Sequence, residues 1–161
     1  THLHRAGGGL EKWRLVKIDP PLRLGGAVTD VYPDGWMGPF SSYTRYATEN
    51  NWAGHMRVVL SGPPQGAHET IGHATVAIGP IVIGDDNQPH LGKPTELRRF
   101  DLRSKRQRIL TFRAPGPRFR VEVTITPTFV PKELSSDQSD NRHLGAQVRY
   151  VFLPPLKAAQ K

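Results

Sequence analysis

The chain has 161 residues, 22 Lys and Arg against 14 Asp and Glu, a formal charge of +8, and no cysteine. That length suits one domain with a core of useful size, and the lack of cysteine excludes both a disulfide framework and a thiolate zinc site. The 15 Pro and 16 Gly work against long helices, because Pro lacks an N–H donor and Gly is entropically costly inside one, and no apolar run approaches the ~20 residues of a membrane span.

Thr1 to Glu11 contains His2, His4 and a Gly7-Gly8-Gly9 run and reads as a flexible leader. Trp13 to Ile18 is the first strand candidate, ended by Pro20-Pro21. Leu22 to Tyr32 is the second, with Gly25-Gly26 suggesting a bulge. Pro33-Asp34-Gly35 is turn chemistry. Tyr43 to Ala47 forms a short third strand, and Asn50, Asn51 and Gly54 mark the next turn, with Trp52 inside it. Met56, Val58 and Leu60 alternate as in a strand. Gly62 to His68 is loop.

Thr75 to Ile83 is β-branched and apolar but interrupted by Gly79-Pro80, which predicts two strands or one kinked strand. Gly84 to Asn87 is a polar turn, and Pro89 to Pro94 is loop. Leu97 to Leu102 and Arg108 to Arg113 are strands, the latter followed by a Pro115-Gly116-Pro117 turn. Phe119 to Thr126 gives the clearest signal. Phe119, Val121, Val123 and Ile125 alternate with Arg120, Glu122, Thr124 and Thr126, which predicts one buried and one wet face. Ala146 to Leu153 is the last strand, stopped by Pro154-Pro155, and residues 156–161 are a frayed tail. Many short strands without a 10- to 15-residue helical stretch predict an all-β antiparallel sandwich of jelly-roll type, one domain over residues 12–155.

Four groups of residues carry candidate chemistry. Trp36, Tyr43, Tyr46 and Trp52 concentrate aromatic surface that could stack on the apolar faces of sugars or simply pack in the core. Tyr43 and Tyr46, three apart, face opposite ways on a regular strand. Asp140, Asn141, Arg142 and Gly145 form a polar corner before the last strand, read as a structural ion pair with turn hydrogen bonds rather than a ligand site. Arg98, Arg99, Arg103, Lys105 and Arg106, continued by Arg108, Arg113, Arg118 and Arg120, form the strongest electrostatic feature. It suits anionic lipid headgroups, a phosphorylated glycan carrier or a nucleic-acid backbone. Nucleic acid is the weaker reading, because no exposed aromatics interleave with the basic residues. Asp85-Asp86-Asn87 and the pair Asp137 and Asp140 offer oxygen ligands, but neither fits a calcium loop, so no metal or cofactor is expected. No catalytic motif is present, and no carboxylate pair stands out for glycoside hydrolysis.

One longer pattern unites these pieces. A strand leads into Asp34-Gly35-Trp36 and then Tyr43-Thr44-Arg45-Tyr46; much later come Phe129-Val130-Pro131 and Ser139-Asp140-Asn141-Arg142-His143-Leu144-Gly145 before a final strand. Over about Asp19 to Pro155, in scattered motifs, this resembles the β-sandwich accessory domains of bacterial membrane glycosyltransferases that assemble cell-envelope polysaccharide. The resemblance implies a non-catalytic domain on the extracytoplasmic face of a bacterial membrane. Its implied partners are an envelope or lipid-linked glycan and the membrane-embedded part of the same protein. The chain opens on Thr1, and we expect it to be a piece of such a longer protein. It is more basic than the resemblance suggests, and its loop over residues 62–73 is longer.

Overall fold

The computed structural model describes residues 25–47, 53–63, 72–135 and 137–155. The leader, the Trp13 to Ile18 strand, Trp52, most of the Gly62 to His68 loop and the tail lie outside them. Among the described residues there are nine strands: β1 (Gly26–Val31), β2 (Trp36–Tyr46), β3 (His55–Ser61), β4 (Gly72–Ile83), β5 (Pro89–Leu91), β6 (Glu96–Leu102), β7 (Gln107–Arg113), β8 (Arg118–Thr126) and β9 (Ala146–Leu153). A four-residue helix, α1 (Pro131–Leu134), interrupts the run before β9.

Every pairing is antiparallel. Where the sequence suggested two stacked jelly-roll layers, the hydrogen bonds run in one path, β5-β4-β8-β2-β9-β3-β7, with β1 on β2 and β6 on β4. The sheet curls into a half-barrel. Its bend is at β2, which pairs with β9 at Trp36 and Met37 and with β8 from Phe40 to Tyr46.

This explains how β2 runs through Gly38-Pro39 without ending. Pro39 sits in the gap between the two ladders, where a missing N–H costs no ladder bond. Gly79-Pro80 sits similarly in β4, after the β6 pairing ends at Ile78 and before the β5 pairing starts at Ile81. Both Gly-Pro pairs therefore mark a change of partner strand rather than an end. Likewise the irregularity in β1 falls between Thr29 and Val31, around Asp30 at φ 59°, and not at Gly25-Gly26.

The core lies inside the curl. Phe119, Val121, Val123 and Ile125 from β8 meet Met56, Val58 and Leu60 from β3, Val76 and Ile78 from β4, and Ala146 and Val148 from β9. Each fully buried side chain of this size contributes about 1.5–3 kcal/mol. The core also holds a polar pair: the hydroxyls of Ser41 and Tyr150 are 2.8 Å apart. Tyr43 stacks on Tyr150, with ring centroids 5.7 Å apart. Burial pushes the Tyr150 hydroxyl well above the ordinary tyrosine value.

The opposite face of β8 is not simply wet. Arg120 is only 8% exposed. Its Nη1 donates to Thr44 Oγ1 at 2.9 Å and its Nε to Glu122 Oε1 at 2.8 Å. Alternation alone places Arg120 in solvent, whereas the fold uses it to tie β8 to β2.

Candidate functional site

The Asp140 corner is built from two distant turns. Arg142 Nε donates to both Asp140 carboxylate oxygens at 3.0 Å, and the Arg142 N–H donates to Asp140 Oδ1 at 2.9 Å. The same guanidinium reaches Asp34, in the β1–β2 turn, with Nη2 2.7 Å from Oδ2. It also lies 4.5 Å from the centroid of the Tyr32 ring. These hydrogen bonds hold both carboxyl groups below the ordinary aspartate range. Asn141 is exposed at the tip.

Gly145 follows the corner, and its role is close approach rather than a special dihedral. A Cβ there would run into Ile125 Cγ2 and come within 2.7 Å of the Gly38 carbonyl oxygen. Its own N–H donates to Met37 O at 2.8 Å. Phe129 and Leu144 pair across the loop. Of the residues quoted for the family resemblance, those at Asp34 to Trp36, Phe129 and Asp140 to Gly145 thus meet in one tie between β2 and β9, whereas Tyr43 to Tyr46 lie on the β8 ladder.

The three of the four aromatics that lie among the described residues do not form a platform. Trp36 packs edge-on to Phe129, centroids 5.4 Å apart, in a small cluster with Leu144 and Leu134. Tyr43 points into the main core. Tyr46 is half-buried at the far end of β2, ten strand positions or about 33 Å from Trp36. Trp52 is outside the described residues. An aromatic that the sequence did not single out, Tyr32, is 39% exposed. It lines a hollow of about 460 Å³ with Asp30, Val31, Gly38, Pro39 and Phe40.

The basic residues are sorted by the fold. Arg120 is internal, as described. Arg98 pairs with Glu96 at 3.1 Å. Arg103, Arg106 and Arg108 line a hollow of about 560 Å³ with Asp101 and Gln107. Arg99 lines an adjoining hollow of about 420 Å³ with His73, Ala74, Thr75, Phe100 and Asp101. The first lies at the turn from β6 into β7, and the second lies on the β4–β6 ladder, where His73 pairs with Asp101 and Thr75 with Arg99. Among the described residues, no carboxylate stands within ion-pair distance of Arg99, Arg103, Arg106 or Arg108.

That turn is held rigidly. Lys105 N–H donates to Pro63 O at 3.0 Å, Ser104 Oγ to the same oxygen at 2.9 Å, and Gly62 N–H to Arg106 O at 2.9 Å. Only glycine fits at Gly62, because a Cβ would collide with the Arg103 carbonyl. The sequence showed the charges but not this clamp, which joins segments some forty positions apart.

Other candidates are accounted for locally. Asp86 accepts from the Gln88 N–H at 3.0 Å and from His90 Nε2 at 2.8 Å, which makes an Asx-type turn. No group of three metal-ligating side chains occurs among the described residues. At the open end of β2, the Arg45 guanidinium carbon lies 3.5 Å from the Phe152 ring centroid, and its buried Nε has no hydrogen-bond acceptor. Among the described residues no helix is long and apolar enough to cross a membrane. Set against known proteins, the chain matches no family model, no curated sequence and no solved structure.

Proposed function

We propose that this chain is a non-catalytic binding domain that engages an anionic partner through the cationic rim of β6, β7 and their turn. Its setting would be the extracytoplasmic face of a bacterial membrane, as an accessory domain of a polysaccharide-assembling glycosyltransferase. The observation that carries the binding role is that Arg99, Arg103, Arg106 and Arg108, on and beside a clamped turn, have no carboxylate partner among the described residues. Clustered like charges repel, and a rigid turn keeps them from dispersing; an anion relieves the repulsion. The setting rests on the motif order alone.

Vesicle partition tests this. The chain should bind vesicles containing phosphatidylglycerol, not neutral ones, and salt should weaken the binding. Replacing Arg99, Arg103 and Arg106 by Gln should abolish it. Replacing Arg57, Arg118 and Arg149, exposed on β3, β8 and β9, removes the same charge and should leave most of it. Equal losses would reduce the rim to bulk charge and sink the reading.

A second reading, that the domain holds a glycan, finds support in the Tyr32 hollow. There an exposed ring lies beside Pro39 and Phe40 with the Asp30 carboxylate at the edge, a combination of stacking surface and hydroxyl acceptor suited to a sugar. A glycan array binding the native chain and not Tyr32→Ala would favour it, and an empty array would dismiss it.

A further inference from the structure

We infer that the hollow between Arg103, Arg106 and Arg108 is a discrete seat for the phosphate group of a phosphoester. On this inference, the ligand's hydroxyl-bearing alcohol part extends over His73, Thr75 and Arg99. This rests on the anionic-partner reading and narrows it from a charged rim to a defined site.

Three features point to a seat rather than a diffuse surface. The first is donor geometry. Three guanidinium groups line one hollow, each a planar fork that matches phosphate oxygens in pairs. The second is the state of the one carboxylate there. Asp101 faces both hollows, but its Oδ1 is 2.8 Å from His73 Nδ1. Asp101 is therefore engaged by His73 and is not an ion-pair partner of the arginines. The third is rigidity. Pro63 and Gly62 bond to the turn at the Ser104 hydroxyl, the Lys105 N–H and the Arg106 carbonyl, so little ordering cost falls on binding.

Size and lining then set the ligand class. At about 560 Å³ the seat falls within the range of small-molecule sites and holds more than a bare ion. The neighbouring hollow shares Asp101 and adds the Thr75 hydroxyl and Arg99, which are groups that meet alcohol oxygens. A polyol phosphate satisfies both at once. That headgroup occurs free and on a lipid, and the two sources share the same chemistry.

The test titrates the full chain with inorganic phosphate and with glycerol 3-phosphate, following backbone amides by NMR. Parallel titrations use vesicles with and without phosphatidylglycerol. We expect saturable shifts confined to residues 99–108 and 73–75, with glycerol 3-phosphate tighter than phosphate. Arg106→Gln and Arg108→Gln should each weaken it by about tenfold or more, the loss of one charge-assisted pair. Arg98→Gln, on the same rim but paired with Glu96, should change it by less than about twofold. Asp101→Asn should tighten it. Saturation by glycerol 3-phosphate identifies a free phosphoester as sufficient, whereas saturation only on vesicles identifies the lipid headgroup. If vesicle binding persists but Arg98→Gln weakens it as much as Arg106→Gln, the rim acts without a seat and this inference is overturned. Absence of any salt-dependent binding overturns the broader reading with it.

Discussion

Replacing Gly145 with alanine probes the point where the half-barrel bends. The new Cβ would stand 2.7 Å from the Gly38 carbonyl oxygen, against a normal carbon–oxygen contact of about 3.3 Å. Relief requires a shift of about 0.6 Å. Gly145 N–H donates to Met37 O at 2.8 Å, and the same shift would stretch that bond to about 3.4 Å, past the useful range. Losing it costs about 1 kcal/mol, and crowding against Ile125 adds about 1–2 kcal/mol. The expected total is about 2–3 kcal/mol, or roughly 6–10 °C in Tm for a domain of this size. Urea unfolding followed by Trp fluorescence measures it, since Trp36 packs beside this junction. Ile125→Ala alone should cost about 2–4 kcal/mol. The double variant should cost about 1 kcal/mol less than the sum, because removing Cγ2 relieves one of the two collisions. A Gly145→Ala protein within about 0.5 kcal/mol of the parent, or strict additivity with Ile125→Ala, would refute the close-approach account.

Three further predictions use other parts of the frame. Arg142→Met removes the groups that hold the carboxyl pKa values of Asp34 and Asp140 below the ordinary 3.8. Groups with depressed folded-state values stabilise fully above the unfolded value and lose that contribution as the pH falls through the folded one. The parent's advantage over Arg142→Met should therefore hold at pH 6 and shrink below about 4 in acid titrations by circular dichroism; a gap unchanged to pH 2 would contradict it. Arg120→Met leaves Glu122 half-buried without its partner and should cost about 2–3 kcal/mol, less than a fully buried pair. Arg120→Met combined with Glu122→Leu should recover much of that in denaturant titrations. Tyr150→Phe should cost about 1 kcal/mol by leaving Ser41 without its hydroxyl partner. Because burial raises the Tyr150 pKa, stability from its protonated form is present below 10 and is lost as the pH climbs above it. The parent should therefore lose stability above pH 10 faster than Tyr150→Phe does.

Much of the frame was legible wherever a strand keeps one face dry. Phe119, Val121, Val123 and Ile125 alternate in the sequence and line the core, as do Met56, Val58 and Leu60. Gly79-Pro80 left two strands or one kinked strand open, and β4 runs through as one strand; the sequence shows the missing donor but not that the neighbouring strand changes from β6 to β5 there. Arg120 misled for a related reason: alternation tells which face a side chain occupies, not what covers that face. The Arg142 tie was half legible. Asp140 is two residues away, whereas Asp34 is 108 positions distant, and no local pattern connects two turns so far apart. The basic segment showed its charge in full, but its division into paired, internal and unpaired arginines depends on long-range pairing of strands.

Among the described residues β6 pairs only with β4 and β7 only with β3, so each leaves a row of backbone groups without a strand partner beside a turn lined by guanidinium groups. Such a margin invites another chain to add a strand, and fixed positive charge is one of the common deterrents. Colloidal behaviour should then depend on the ionic medium: dilute buffers keep copies apart, and concentrated electrolyte removes the deterrent. A polyanion in stoichiometric amounts would do the same more efficiently. Whatever quenches the arginines also exposes an edge on which aggregates can grow.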